Sequence, residues 1–175
     1  VELASDSIRE KAERMNFIFN HNMRTGGPLI ALKLAESANG MVAEQAGRSS
    51  RVTEDEARAD VMRWRRLFPA ICVGSGTVLA DDPSLTSRLP DETWCPVRIL
   101  VDSSLSTLRN EVAPRKVYVD EFSGRTVVLT TVQGMANKER VDRAKEFAIR
   151  LIEIGETQEG GIDPAGLRSV LAEFG

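Results

Sequence analysis

Residues 70–88 read AICVGSGTVLADDPSLTSR, a short apolar run followed by a glycine-containing bend and an Asp-Asp-Pro turn. The apolar run at 70–73 predicts a buried strand, and Gly74 and Gly76 follow it directly. Such a bend suits a backbone that approaches a phosphate or a sugar. It equally suits an ordinary strand-to-helix turn that needs small residues, so both interpretations stay open on this stretch alone.

The composition predicts a globular protein with one real core. The chain has 175 residues, of which 42% are hydrophobic and 28% charged, with a net charge of −3. These values are ordinary for a folded domain, and the charge gives no field that favours nucleic acid. We see no signal peptide and no apolar run long enough to cross a bilayer. We therefore expect a cytoplasmic protein without nucleic-acid or membrane partners.

Cysteine and histidine are scarce. The chain contains Cys72, Cys95 and His21 and has no CxxC spacing. One histidine cannot build a common zinc site, so we expect no metal. Two reduced, structural thiols fit a reducing compartment.

Strand-like and helix-like segments alternate along the chain. Apolar or β-branched runs predict strands at residues 29–34, 70–73, 97–102, 125–131 and 151–156. Residues 116–120 are a further, short candidate strand. Amphipathic spacing predicts helices at residues 8–19, 53–68, 137–150 and 162–175. The second of these has Thr53 as its predicted N-cap, and the last has Asp163 as its N-cap before Pro164. This alternation is typical of an α/β sheet with parallel pairs of strands.

Several charged side chains are candidates for function. Arg65 and Arg88 are candidates to bind a phosphate through bidentate hydrogen bonds, although a solvated surface arginine is the simpler interpretation of each. Lys33 lies inside an apolar run and has to reach water, a partner or a substrate. Asp81 and Asp82 suit either a ribose hydroxyl or the capping of a turn. Because they are adjacent, they are expected to point apart, which argues against an acid–base pair.

Five segments together resemble one known family, the reductase domain of the bifunctional riboflavin-biosynthesis deaminase/reductase. They are MRTGGPLIALKLAES at 23–37, NG at 39–40, TEDEARADV at 53–61, VGSGTVLADDPSLTSR at 73–88 and RILVDSS at 98–104. The resemblance is strong over residues 23–104 and weaker from there to 175. The run GSGTVLADDPSLTSR is its most specific part.

The resemblance implies a fold and a reaction. The fold would be α/β and dihydrofolate-reductase-like, a mixed, mostly parallel sheet flanked by helices. The reaction would be the NADPH-dependent reduction of the ribosyl group of 5-amino-6-(5-phosphoribosylamino)uracil to a ribityl group. The cofactor supplies the hydride, so the protein supplies positioning and a proton path.

The resemblance also implies roles for particular residues. Lys33 would orient or protonate the opening sugar. The substrate would be bound by Ser49, Arg65, Leu85 and Arg88, with the two arginines holding its 5′-phosphate. The cofactor would be bound by Ala35, Arg51, Thr77, Asp81 and Ser103.

The chain departs from the family pattern in ways that leave alternatives open. Asn39 stands where the family has an aspartate, and Arg51 stands where it has a tryptophan. Residues 1–24 are expected to be a tail helix and linker from an upstream deaminase-type domain. Residues 25–175 would then be a partial reductase domain that lacks its last strands, and the absence of those strands would make this segment inactive. The complete enzyme is expected to form a homodimer. A related reductase for another pyrimidine or pteridine substrate, or a degenerate domain without catalysis, are the alternatives.

Overall fold

The computed structural model describes residues 6–42, 53–159 and 161–174. Its helices are α1 (Asp6–Met15), α2 (Phe17–Thr25), α3 (Asp55–Leu67), α4 (Ser75–Asp81), α5 (Lys116–Val119), α6 (Val132–Ala136), α7 (Lys138–Glu146) and α8 (Pro164–Glu173). Its strands are β1 (Ala70–Gly74), β2 (Ser87–Leu89), β3 (Glu92–Trp94), β4 (Val97–Val101), β5 (Thr126–Thr130) and β6 (Arg150–Glu153). Short 3₁₀ turns cover Ser106–Leu108 and Ser123–Arg125.

A four-stranded parallel sheet forms the centre of the domain. Its strand order is β1-β4-β5-β6, and every neighbouring pair is parallel. Strands β2 and β3 pair separately as an antiparallel hairpin. Helix α4 lies in the chain between β1 and β4, and α7 lies between β5 and β6, as crossover connections between parallel strands require. Helix α8 follows β6. The predicted α/β class with a mostly parallel sheet is confirmed.

The two faces of the sheet carry separate apolar clusters. On one face, Leu100 and Val128 are fully buried beneath Val78 of α4 and Ala144 of α7. On the other face, Ile99, Val127 and Leu129 pack against α8 through a set of partly or fully buried side chains, Leu167, Val170, Leu171 and Phe174. Alternate residues of β4 and β5 therefore serve opposite cores, as the period of a strand requires.

Helix α8 begins as the sequence predicts. The Asp163 carboxylate accepts hydrogen bonds from the amides of Ala165 and Gly166, at 3.2 Å and 3.0 Å. Pro164 occupies the first turn, where its missing N–H costs nothing. This cap stabilises the N-terminus of α8, the helix that packs against β5 and β6.

The predicted strand at 29–34 does not form. Residues 28–36 have no regular secondary structure, and the side chain of Leu32 is 91% exposed. A strand is stable only where a neighbouring strand takes up its backbone hydrogen bonds. This segment pairs with none of the described strands. The prediction of a strand there is wrong for this structure, and so is the placement of Lys33 within a buried run.

Residues 116–119 form the helix α5 and not the predicted short strand. The Asp120 amide donates to the Lys116 carbonyl at 2.9 Å, which is the hydrogen bond of a helical turn. The Asp82 carboxylate also accepts a hydrogen bond from the Lys116 amide at 2.9 Å. Asp82 therefore has the turn-capping role that the sequence left open for it.

Smaller differences concern helix ends and the two thiols. Helix α3 has Glu54, not Thr53, at its N-cap, and Asn16 divides the predicted first helix into α1 and α2. Cys72 and Cys95 are free thiols, but only Cys95 is buried, so a structural role fits Cys95 alone. In the parts that the structure describes, no helix is long and apolar enough to span a bilayer.

Candidate active site

Two predicted cofactor residues come from neighbouring strands at one edge of the sheet. Strands β1 and β4 are parallel, and Gly74 at the end of β1 pairs in register with Val101 at the end of β4. Thr77 follows in the first turn of α4, and Ser103 lies two residues beyond β4. Ligands of open α/β sheets bind at this carboxyl edge. Asp81, at the other end of α4, is exposed.

The glycines of the bend face open space. A Cβ atom built on Gly74 or on Gly76 would meet no described atom within 4 Å. Neither glycine has a left-handed φ angle. The described structure therefore gives no packing reason for small residues here, which weakens the interpretation as a tight turn. It leaves room beside Thr77 for a ligand.

The backbone of Ser103 is held firmly. Its carbonyl oxygen accepts hydrogen bonds from the hydroxyls of Thr130 and Thr131, at 2.9 Å and 3.0 Å, and from the Thr131 amide at 3.3 Å. These contacts tie the loop after β4 to the end of β5. The predicted cofactor residue thus stands on a rigid base.

Asp102 stabilises the same loop through hydrogen bonds to Ser106 and Thr107. This role was not predicted from the sequence. The residue is 1% exposed, and its carboxylate accepts four hydrogen bonds of 2.8 to 2.9 Å from the amides and hydroxyls of Ser106 and Thr107. The Thr107 hydroxyl lies 2.5 Å from that of Tyr118, and burial raises the pKa of Tyr118 above its usual value. The Tyr118 hydroxyl therefore stays protonated, and both oxygens of the Asp102 carboxylate accept hydrogen bonds.

Gly134 of α6 allows this loop to pack closely, and its replacement is a direct test. A Cβ atom there would collide with the Thr130 hydroxyl and lie 2.5 Å from the Ser103 carbonyl. We expect Gly134→Ala to lower the free energy of unfolding by about 2 kcal/mol, as overpacking does. Denaturant unfolding measures this. Gly124→Ala is the control, because its Cβ would meet nothing within 4 Å; equal losses in both variants would contradict the packing described.

Arg65 and Arg88 form a pair of like charges, here called the arginine pair. Arg65, on α3, donates from Nη1 to the Thr86 carbonyl at 2.6 Å. Burial, and secondarily the positive charge of Arg88, lower the pKa of the Arg65 guanidinium below its usual value. No carboxylate among the described residues pairs with either guanidinium, and Arg65 Nε is buried without a hydrogen-bond partner there. The arrangement suits an anion.

The helix and the hairpin that carry the arginine pair are joined to each other. The Ser87 hydroxyl donates to the Met62 carbonyl at 2.7 Å, and the Arg88 amide contacts the Met62 sulfur at 3.5 Å. These contacts join β2 to α3. The structure thus places Arg65 and Arg88, two of the four predicted substrate residues, on elements that are in direct contact.

Leu85 belongs to the same loop but its side chain faces the core. It is 5% exposed, packs with Val78 and Leu100, and has a φ angle of +56°. A leucine pays a steric cost in this left-handed conformation. Any contact between Leu85 and a substrate would therefore come from its backbone.

Lys33 and Ala35 are not brought to the arginine pair or to the Ser103 loop. Lys33 is exposed and Ala35 half-buried in the irregular segment before residue 42. Within the described ranges, no hydrogen bond or ion pair joins them to the other candidates. Ser49 and Arg51 lie outside the described residues.

Comparison with known proteins identifies the family. A family model described as the RibD C-terminal domain matches residues 28–168. The chain belongs to the RibD C-terminal domain family. The resemblance found in the sequence is thereby confirmed, and the match includes the glycine bend, the arginine pair and the Ser103 loop.

Curated relatives carry the same family name. The chain is 43% identical over 106 residues to the riboflavin biosynthesis protein RibD of Bacillus amyloliquefaciens, covering 61% of this chain and 29% of that protein. It is 36% identical over 150 residues to the protein of that name from Mycobacterium tuberculosis strain H37Rv, covering 83% and 41%. The chain thus spans about a third of the length of these RibD proteins.

Solved structures share the fold. A Thermotoga maritima structure, described as a diaminohydroxyphosphoribosylaminopyrimidine deaminase/5-amino-6-(5-phosphoribosylamino)uracil reductase, is 27% identical with a TM-score of 0.60, covering 85% of this chain and 45% of that one. RibD of Acinetobacter baumannii is 24% identical with a TM-score of 0.63, covering 93% and 41%. The second likeness concerns the fold alone. The dihydrofolate-reductase-like fold expected of a RibD reductase domain is confirmed.

Among the described residues, no group of three or more His, Cys, Asp or Glu side chains could hold a metal ion.

Proposed function

We propose that this chain carries the reductase site of a riboflavin-biosynthesis enzyme. The reaction is the reduction of the ribosyl group of 5-amino-6-(5-phosphoribosylamino)uracil to a ribityl group with NADPH. The arginine pair carries the proposal, because the positive charge of Arg88 acts on Arg65 and no carboxylate among the described residues pairs with either side chain. The RibD match over residues 28–168 and the printed name of the Thermotoga maritima relative support it.

The arginine pair would hold the 5′-phosphate of the substrate. Arg65 already donates from Nη1 to the Thr86 carbonyl, which leaves its buried Nε and its remaining N–H groups for an anion. Planar guanidinium groups bind phosphate oxygens through paired, charge-assisted hydrogen bonds. A bound phosphate would also remove the repulsion between Arg65 and Arg88.

The residues at the carboxyl edge of the sheet fit a dinucleotide cofactor. Open space beside Gly74 and Gly76 allows close approach of a ligand to the backbone, and the exposed hydroxyl of Thr77 lies next to it. The rigid loop of Ser103 supplies a second polar group from the adjacent strand. When bound, NADPH supplies the hydride, while these residues orient it.

The other predicted roles stay part of the proposal. Asp81, Ala35 and Arg51 are proposed to contact the cofactor, Ser49 and Leu85 the substrate, and Lys33 to orient or protonate the opening sugar. Lys33 is exposed in this structure, so its proposed role requires residues 28–36 to settle beside the site when the ligands bind. Lys33→Met would then lower kcat with little change in the KM of NADPH.

A comparison of substrates tests the proposed function against a related reductase. Purified protein is mixed with NADPH and either the phosphorylated ribosylaminouracil or dihydrofolate, and loss of NADPH absorbance is followed. We expect turnover of the first substrate alone. Turnover of dihydrofolate only would favour a reductase of the same fold with another pteridine or pyrimidine substrate.

Calorimetric titration with NADPH tests the remaining alternative, a degenerate domain without catalysis. Binding of NADPH together with turnover supports the proposed function. Binding without turnover, in the 175-residue chain and in the full gene product alike, would favour a non-catalytic domain.

The proposal extends to the whole protein. Residues 1–24 are proposed to be the tail and linker of an upstream deaminase-type domain, and residues 25–175 a partial reductase domain. A cytoplasmic homodimer is proposed for the complete enzyme. The intact mass of the gene product and its mass in solution by light scattering check both points.

A further inference from the structure

Arg98 lies at the centre of the domain and uses all of its hydrogen-bonding capacity. It is on β4 and is fully buried. Its guanidinium makes five hydrogen bonds of 2.7 to 3.1 Å, to Thr126 Oγ1, the Val117 carbonyl, the Ser84 carbonyl and both oxygens of the Asp120 carboxylate. A guanidinium has five N–H donors, and each of them is used here.

The charge of Arg98 is balanced locally. Asp120 meets Nη1 at 2.7 Å and Nη2 at 2.8 Å, which is the bidentate arrangement that favours arginine over lysine. Asp120 also accepts a hydrogen bond from the Phe122 amide at 3.1 Å. Removal of one partner from a buried ion pair strongly destabilises a protein. Asp120 therefore holds the Arg98 guanidinium in one orientation.

One arm of this fork reaches the loop that carries the arginine pair. Arg98 Nη1 donates to the Ser84 carbonyl at 3.1 Å, and the next residue, Leu85, has a φ angle of +56°. The residue after Leu85 is Thr86, and its carbonyl accepts a hydrogen bond from Arg65. Residues 84–88 are therefore held by Arg98 from the sheet side and by Arg65 from the helix side.

A left-handed leucine needs such restraint. A non-glycine residue in this conformation costs free energy and persists only where its surroundings determine it. The buried Leu85 side chain supplies one restraint, and the bond from Arg98 to Ser84 supplies another. If the second restraint is removed, the backbone of the loop can relax and carry Arg88 away from Arg65.

We propose that Arg98, oriented by Asp120, is a positioning residue that holds loop 84–88 so that Arg65 and Arg88 converge on one phosphate. The proposal rests on the proposed function and names a residue that would not touch the substrate itself. Thr77 and Ser103 lie at the carboxyl ends of the strands, whereas Arg98 is the second residue of β4. Its influence therefore falls on the phosphate of the substrate and not on the cofactor.

The test compares Arg98→Met with Arg143→Met. Arg143 also donates to backbone carbonyls of a loop, those of Arg109 and Val112, but that loop carries none of the candidate residues. Both variants lose a guanidinium that donates to backbone carbonyls of a loop. The readouts are the KM of each ligand, kcat, and amide hydrogen exchange within residues 84–88, all measured well below the unfolding temperature.

Arg98→Met is expected to raise the KM of the phosphorylated substrate by about tenfold, because a misplaced binding group loses much of its effect. The KM of NADPH should stay the same, and exchange at 84–88 should accelerate. Arg143→Met should change neither KM and should leave exchange at 84–88 as it is. Equal effects of the two variants on substrate KM and on exchange at 84–88 would overturn the proposal.

Asp120→Asn and Arg98→Lys keep the proposal testable if Arg98→Met does not fold. Asparagine keeps the shape of the side chain but breaks the bidentate pair, and lysine keeps the charge but not the fork. Both should shift substrate KM and loop exchange in the same direction, by less. If the parent protein reduces no phosphorylated pyrimidine, the proposed function fails, while loop exchange in these variants still decides whether Arg98 holds the loop.

Discussion

Replacing either member of the arginine pair by alanine is expected to raise the KM of the phosphorylated substrate about 10- to 100-fold. A hydrogen bond to a charged group contributes about 1.5–3 kcal/mol, and tenfold corresponds to about 1.4 kcal/mol. Arg65→Ala and Arg88→Ala each remove one guanidinium from the proposed phosphate site. Because the two groups would share one phosphate, the double variant should lose less than the product of the single losses.

Two controls separate phosphate binding from other effects of these changes. Arg66 is next to Arg65 on α3 but pairs with Glu92 and lies 5.0 Å from the ring centre of Trp94, so Arg66→Ala should leave the substrate KM nearly unchanged. A substrate without the 5′-phosphate should bind the parent and the Arg88→Ala variant equally weakly. Equal losses by Arg88→Ala on both substrates would show that Arg88 does not bind phosphate.

Asp102→Ala is expected to lower the free energy of unfolding by about 3 kcal/mol, because it leaves buried donors without an acceptor. The Asp102 carboxylate accepts hydrogen bonds from the amide and the hydroxyl of both Ser106 and Thr107. Its loss releases the loop that carries Ser103, so NADPH should also bind more weakly. Chemical denaturation and calorimetry measure the two effects.

An exposed aspartate is the matched control for Asp102. Asp142 pairs with Lys145 on the surface of α7 at 2.6 Å, and surface pairs of this kind contribute little. Asp142→Ala should leave both the unfolding midpoint and the affinity for NADPH nearly unchanged. A loss below about 1 kcal/mol in Asp102→Ala would contradict the buried network described.

The sequence predicted the central sheet well because its strands carry strong local signals. Strands β4 and β5 are short β-branched runs, and α8 has an aspartate before a proline at its start. Each of these elements carries its signal within its own residues, as an apolar pattern or as a cap. The parallel order followed from the alternation of strands and helices.

The predictions that were wrong depend on contacts that are distant in sequence. Residues 29–34 have the composition of a strand, but a strand also needs a partner, and composition does not say whether one is present. Residues 116–119 look like a strand, yet Asp82, 34 residues earlier, caps them as a helix. Propensity is a weak guide where tertiary contacts decide.

The candidate site was predicted in part for the same reason. Arg65 and Arg88 were singled out by residue type and resemblance, and the structure carries them on α3 and on β2, which contact each other. Arg98 was missed, although a charged residue inside the run VRILVD is the same kind of signal that drew attention to Lys33. Its partner Asp120 is 22 residues away, so the sequence alone did not reveal the pair.

A crystal structure of the protein with NADP⁺ and ribose 5-phosphate tests the central claim most directly. The account predicts the phosphate between Arg65 and Arg88, with guanidinium nitrogens about 2.7–2.9 Å from its oxygens, and the nicotinamide ribose beside Gly74, Gly76 and Thr77. A phosphate bound elsewhere, with Arg65 and Arg88 both free of it, would contradict the account.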